Sequence, residues 1–251
     1  MPHSANIRES KAWDAALEEA KLAALAEFAA GAGHEINNPL AVICGRAELL
    51  LRQESDPQRR RDLATIHAQA KRIYEMIADL MLFARPPQPV LRAIDLRIVL
   101  SELADELKAP CQERGILLQV RLGAPVVVRA DGNQLRVALR AVCDNALEVM
   151  DSGGRLEIFC QATAAAADSE GTARIEIRDN GPGFDEHTRE HLFDPFYSGR
   201  AAGRGLGMGL AKCWRIVRQH QGTIEAFSSS GGGAAFVITL PAADIHANGA
   251  P

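Results

Sequence analysis

Asp179-Asn180-Gly181-Pro182-Gly183 and, further on, Gly203-Arg204-Gly205-Leu206-Gly207-Met208-Gly209 are the strings that decide how the C-terminal part of this chain is read. The first follows a strand-like run, and its glycines let the backbone turn sharply and approach a flat ligand. Asp179 offers an acceptor for an exocyclic amine such as the adenine N6. The second opens a helix, where glycines leave backbone N–H groups and the positive dipole end open to phosphate oxygens. A dinucleotide crevice would need a strand–helix–strand unit with an acid on the next strand. Here Gly209 leads to a helix and then to an antiparallel-looking hairpin, so a flap between two glycine clusters is expected instead. Within it, Phe193-Asp194-Pro195-Phe196-Tyr197-Ser198 reads as a hydrophobic plug that closes the domain.

Outward from this segment the periods alternate. Downstream, Thr223–Phe227 and Ala234–Leu240 alternate as a hairpin. Upstream, Arg155–Gln161 and Ala173–Arg178 read as strands around an Ala-rich loop, and Asp131–Met150 reads as a helix. Asn145 lies in that helix, where an amide oxygen near phosphates suits a Mg2+ ion that keeps several waters. Further upstream, Asp95–Arg114 reads as a helix and Ile116–Arg121 and Val126–Arg129 as strands. The order predicts an α+β layer with helices on one face.

Arg85-Pro86-Pro87-Gln88-Pro89 reads as a stiff linker, and the period changes across it. Before it, Leu22, Leu25, Ala29, Ala32, Ile36, Leu40, Ile43, Ala47 and Leu50 recur at steps of three and four, with the one irregularity beside Pro39. Ser55-Asp56-Pro57 starts a second helix, which carries Leu63, Ile66, Ala70, Ile73, Ile77, Leu80 and Ala84. The two stripes cannot both be covered within one hairpin. Two hairpins pairing as a four-helix bundle would cover them, so a homodimer is expected.

Composition excludes several classes. The 251 residues carry 28 basic and 32 acidic side chains, a net charge of −4 that argues against nucleic-acid binding. No apolar run approaches the ~20 residues of a membrane span, and the start has no signal-peptide core, so no membrane segment and a cytoplasmic location are expected. The five cysteines are scattered without a CxxC pair and read as buried free thiols.

Gly33-His34-Glu35-Ile36-Asn37-Asn38-Pro39-Leu40 is the second chemical string. It fails as a zinc motif, because Asn38 stands where HExxH needs its second histidine. His34 lies roughly opposite the apolar stripe and is expected to face solvent, with Asn38 on its face and Glu35 one position around.

Asn145-Ala146, the Asp179–Gly183 string, Phe193–Ser198 and Gly203–Gly209, in that order, resemble the ATP-binding motifs of the histidine-kinase catalytic domain, the Bergerat fold shared with gyrase and Hsp90. His34–Leu40 resembles the phospho-acceptor motif of the dimerisation domain upstream of it. The resemblance implies an α+β, two-domain chain. A helical hairpin forming a dimeric four-helix bundle (1–88) would precede an α/β-sandwich (Bergerat/GHKL) ATP-binding domain (89–243) and a disordered tail (244–251).

It implies ATP and Mg2+ as cofactors, Asp179 as adenine reader and Asn145 as Mg2+ ligand. Gly181, Gly183, Phe193, Arg200, Gly205, Gly207 and Gly209 would line the pocket and lid. His34 would accept the γ-phosphoryl group, Glu35 would take its ring proton, and Asn38 would position water for dephosphorylation. A response-regulator receiver domain would be the acceptor, with sensing expected in a separate protein or in residues outside this chain. Two positions depart from the pattern: Ala141 stands where a polar residue one turn before Asn145 is usual, and Arg200 where Lys is frequent. Ala141 leaves open a weakened kinase that acts as a nucleotide-binding regulator or phosphatase. A Bergerat-fold ATPase is the third reading, against which the intact His34 string argues.

Overall fold

The computed structural model describes Ala24, Glu27, Gly31, Gly33, residues 35–163, 171–197, 207–228 and 232–243. The chain divides into two compact units, to Pro87 and from Gln88.

In the first unit, helix α1 runs through 35–53 and α2 through Pro57–Ala84. Asp56 starts α2 by accepting from the N–H of Gln58 (3.0 Å) and Arg59 (2.8 Å), with Pro57 just inside. Arg60, one of three consecutive arginines that alone suggest a solvated face, donates instead to the carbonyls of Leu51 (2.8 Å) and Glu54 (2.9 Å) and so closes the end of α1. The apolar stripe foreseen on α1 splits in two. Gly33, Asn37, Leu40, Cys44 and Ala47 are buried or half-buried at alternating steps of four and three. A Cβ on Gly33 would meet Met81 Sδ at 2.8 Å, so this seam is the one that faces α2. Ile36, Ile43 and Leu50, with Ile66 and Ile73 on α2, form a second seam that is 37–52% exposed.

The second unit is a five-stranded sheet under three long helices. Its elements are β1 (Arg92–Asp95), α3 (Leu96–Glu113), β2 (Leu117–Leu122), β3 (Val127–Ala130), α4 (Gly132–Val149), β4 (Arg155–Thr163), β5 (Thr172–Asp179), α5 (Glu186–His191), α6 (Gly209–Gln219), β6 (Thr223–Ser228) and β7 (Ala234–Pro241). The sheet order is β2-β4-β5-β7-β6, with β2–β4 parallel and the other pairs antiparallel. β1 and β3 form a separate antiparallel pair. Aspartates start α3, α4 and α5 here too. Asp95 accepts from Arg97 N–H, Asp131 from Asn133 and Gln134, and Asp185 from Thr188.

One face of the sheet is apolar by strict alternation, through Leu156 and Ile158 of β4, Ile175 and Ile177 of β5, and Phe236 and Ile238 of β7. Against it lie Leu100, Leu103 and Leu107 of α3, Leu135, Leu139 and Val142 of α4, and Cys213, Ile216 and Val217 of α6. Four of the five free thiols, Cys111, Cys143, Cys160 and Cys213, are inert parts of this core, whereas Cys44 is only half-buried, on α1. Burial pushes Cys143 far up, Cys213 up to about 12 and Cys160 to about 11. No helix among the described residues is long and apolar enough to cross a membrane.

Candidate functional site

Strand alternation decides the orientation of Asp179. Ala173, Ile175 and Ile177 of β5 face the helices, so Asp179, two residues on, does too, and it is buried. Its Oδ1 accepts from the N–H of Gly181 (2.9 Å) and of Ala234 at the start of β7 (3.3 Å). No bond falls on Oδ2 among the described residues, which leaves one acceptor for a ligand. Burial raises the carboxyl above its ordinary range, and the two backbone donors pull it partly back.

The rest of the pocket loop is tied down from β6 and β7. The Asn180 side chain accepts from Arg155 N–H at 2.6 Å and so closes the end of the β4–β5 pair. Gly181 sits against Val149 and Met150 at the end of α4, and Gly183 against Gly233. Ser228 accepts from Phe184 N–H (3.0 Å) and donates to the Gly233 carbonyl (3.3 Å). Gly233 has φ +92°, and a Cβ there would run into the Asp179 carbonyl oxygen. Only glycine lets the β6–β7 turn come close enough for the Ala234 bond to Asp179. Sequence reasoning missed Ser228 and Gly233. Their signal was the Ser-Gly run at 228–233, which by itself reads as a loop.

Across the pocket stands α6. Gly207, at φ +69°, packs on the carbonyl of Tyr197, where any Cβ would collide. The first intrahelical bond is Lys212 N–H to Met208 O, and no side chain among the described residues caps the helix. The N–H groups of Gly209, Leu210 and Ala211 thus have no intrahelical acceptor, which suits an anion. A Cβ on Gly209 would lie 4.0 Å from that of Ala141, so α4 is the wall beside this terminus. Asn145, one turn after Ala141 and half-buried, shares that face. No group of three or more His, Cys, Asp or Glu side chains able to hold a metal converges among the described residues. That donor set fits a Mg2+ ion carried chiefly by phosphates and water with one amide oxygen, and not a resident all-protein site.

Phe193 packs against the core, as a plug would. His187 is exposed and His191 partly so, and they pack together on the surface. Their rings lie 5.0 Å apart, His191 and Tyr197 are 5.4 Å apart, and His191 Nδ1 is 2.7 Å from Asp194 Oδ2. Trp214 packs on the core beneath the Arg218 guanidinium. Glu35 and Asn38 are exposed on α1, and Asn37 Oδ1 is buried with no partner among the described residues. His34, Arg200, Gly205, the flanking Ser198 and Arg204, and the tail at 244–251 lie outside the described residues.

A helical hairpin followed by a sheet with helices on one face, whose glycine turns flank a buried acid and an uncapped helix, defines a phospho-acceptor unit joined to a Bergerat-type nucleotide domain. Comparison with known proteins agrees. Residues 24–89 match the His Kinase A (phospho-acceptor) domain, and residues 130–244 match the histidine kinase-, DNA gyrase B- and HSP90-like ATPase. The signal transduction histidine-protein kinase AtoS of Escherichia coli is 32% identical over 88% of this chain and 35% of its own length. Sporulation kinase C of Bacillus subtilis is 28% identical over 90% of this chain and 51% of its own. The crystal structure of full-length ShkA in complex with AMPPNP shares the fold, with a TM-score of 0.74 at 24% identity over 86% of this chain and 46% of that one. The chain therefore belongs to the two-component histidine kinases and carries their phospho-acceptor and ATP-binding domains. It spans between about a third and a half of the length of these relatives.

Proposed function

We propose that this chain is the core of an ATP-dependent histidine autokinase, which phosphorylates His34 and relays the phosphoryl group to an aspartate on a response-regulator receiver domain. The observation that carries the reading is the pairing of Asp179, with one carboxylate oxygen left for a ligand, and the uncapped α6 N-terminus across the glycine segment. AMPPNP, an ATP analogue, is bound in ShkA, which supports ATP as the nucleotide.

Asp179 Oδ2 accepts from the adenine amine, and the N–H groups of Gly209, Leu210 and Ala211 receive phosphate oxygens. Gly181, Gly183 and Gly207 hold the pocket walls close, Phe193 plugs its end, and Gly205 and Arg200 belong to the lid, with Arg200 reaching the γ-phosphate. Bound Mg2+, held by Asn145 and the phosphates, supplies charge neutralisation for phosphoryl transfer. The neutral His34 imidazole attacks the γ-phosphorus as the bond from phosphorus to the β,γ-bridging oxygen breaks and ADP leaves. Glu35 accepts the ring proton as charge develops, and Asn38 positions water when the phospho-receiver is hydrolysed. The exposed seam of Ile36, Ile43, Leu50, Ile66 and Ile73 is the homodimer face. The chain acts in the cytoplasm, and its input comes from a separate sensor protein or from residues outside it.

Incubation with γ-labelled ATP and Mg2+ tests this: the wild type takes up acid-labile, alkali-stable label and His34→Ala takes up none. Equal labelling of both would overturn the assignment. Ala141 supports a second reading, in which the chain binds ATP but transfers phosphate slowly and acts chiefly as regulator or phosphatase.

A further inference from the structure

The structure assigns a positioning role to His220 and Asp131, which join the far end of the nucleotide-facing helix α6 to the segment that enters the domain at Val90. The inference rests on the nucleotide reading of the α6 N-terminus. His220 follows the last residue of α6 and is 3% exposed. Its Nδ1 lies 2.8 Å from the Ile216 carbonyl oxygen, which only accepts, so Nδ1 carries the ring proton and donates it. Nε2 is then a lone pair, and the Asp131 backbone N–H donates to it at 3.0 Å. Both nitrogens of a neutral ring are committed, one to each helix.

Asp131 is bonded on three sides. Its Oδ1 holds the N–H groups of Asn133 (3.1 Å) and Gln134 (3.2 Å) at the start of α4, and its Oδ2 holds the Val90 N–H at 3.0 Å. Its own N–H goes to His220. A four-membered chain thus runs from Ile216 through His220 and Asp131 to Val90, three residues beyond Pro87. The α6 helix is 11 residues, a rod of about 16 Å. Its first turn lies against Ala141 in the nucleotide wall, and its last turn is fixed to Asp131. When phosphate oxygens engage the first turn, any displacement of the rod reaches His220. There it either carries Asp131 and Val90 along or parts the half-buried Asp131 N–H from the buried His220 ring, and the second course is penalised. Nucleotide occupancy is thereby tied to the position of the residue that leads out of the domain. His220 accordingly governs the transfer step more than nucleotide affinity.

The test uses the full chain with His220→Leu, which fills the volume but accepts nothing, and His220→Gln, whose amide oxygen accepts again. Val90→Pro removes only the exposed donor and serves if the leucine variant does not fold. Three quantities are read: AMPPNP affinity with Mg2+, the autophosphorylation rate at saturating ATP, and amide hydrogen exchange at Val90 and Asp131 with and without AMPPNP. In the wild type, AMPPNP slows exchange at both amides. His220→Leu and Val90→Pro bind AMPPNP within about threefold of wild type and phosphorylate about tenfold more slowly. His220→Leu also loses the response at Val90, Val90→Pro, which has no amide at 90, keeps the response at Asp131, and His220→Gln recovers both rate and response. Affinity and rate falling in equal proportion would overturn the joint as a mere stability element. AMPPNP binding with an unresponsive Val90 in the wild type would overturn the joint alone, and failure of the wild type to bind AMPPNP would overturn the nucleotide reading beneath it.

Discussion

Replacing Asp179 by Asn separates what this carboxylate does for the fold from what it does for the ligand. Oδ1 is committed to the N–H groups of Gly181 and Ala234, so an asparagine keeps its oxygen there and turns its NH2 to where Oδ2 was. The adenine amine, itself a donor, then meets a donor. The lost charge-assisted bond is worth about 1.5–3 kcal/mol and the donor clash adds about 1 kcal/mol, so the dissociation constant for ATP rises about 60- to 700-fold. A nucleotide lacking the 6-amino group should lose comparable affinity on the wild type and little more on the variant, which a double-mutant cycle by calorimetry reads directly.

Stability moves the other way. Burial raises the Asp179 carboxyl above its ordinary 3.8 in the folded state. Below that value both states hold the proton, and the two proteins should denature alike in urea. As pH rises, the unfolded carboxyl ionises first and the wild type loses stability relative to Asp179→Asn. The gap widens until the pH passes the folded value and is constant beyond it. At neutral pH the nucleotide-free variant is therefore the more stable protein. A variant that binds ATP within threefold of wild type, or that unfolds more easily at pH 7, would refute the reasoning.

Gly233→Ala forces a Cβ toward the Asp179 carbonyl at φ +92°. Strain of about 1–3 kcal/mol and the loss of the Ala234 bond predict about 2–4 kcal/mol of destabilisation, a Tm drop of about 4–16 °C by calorimetry. Ile43→Glu puts a charge in the middle of the exposed α1 seam and should raise the dimer dissociation constant at least about tenfold, read by sedimentation equilibrium. Ala141→Asn adds an amide on the wall beside the α6 terminus and should raise the autophosphorylation rate about tenfold, the equivalent of one net hydrogen bond, in a labelled-ATP time course.

What the sequence made legible tracks the range of the interactions involved. Asp179 was readable because a period of two places it on the face of Ile175 and Ile177, and the helix starts because each aspartate cap acts within three residues. Its partner Ala234 is 55 positions away and was not readable. β1 carries only Ile94 and Ala93 as apolar residues and exists through its pairing with β3, so no local pattern announced it. The two seams of α1 were merged because steps of three and four are common to stripes lying one position apart on the helix. Burial alone distinguishes Leu40 and Ala47, against α2, from Ile36 and Ile43. His220 stands in a helix end with no motif, and its partner Asp131 is 89 positions earlier.

The same reasoning bears on whether α4 compensates for Ala141. Asp144 is the nearest carboxylate in sequence and would be the natural substitute ligand, but helix geometry sets it about 100° around from Asn145. There it is already engaged: Arg140 Nε lies 2.7 Å from Asp144 Oδ1, and the same guanidinium reaches Glu106 of α3 at 3.6 Å. Drawing Asp144 to the nucleotide would break a charge-assisted bond and leave Arg140 with the longer pair alone. Asp144 thus belongs to the α3 side, and the ligand side of α4 keeps Asn145 as its one oxygen donor between 141 and 145. The effect of Ala141→Asn follows from that count, and Asp144→Ala should leave nucleotide affinity unchanged.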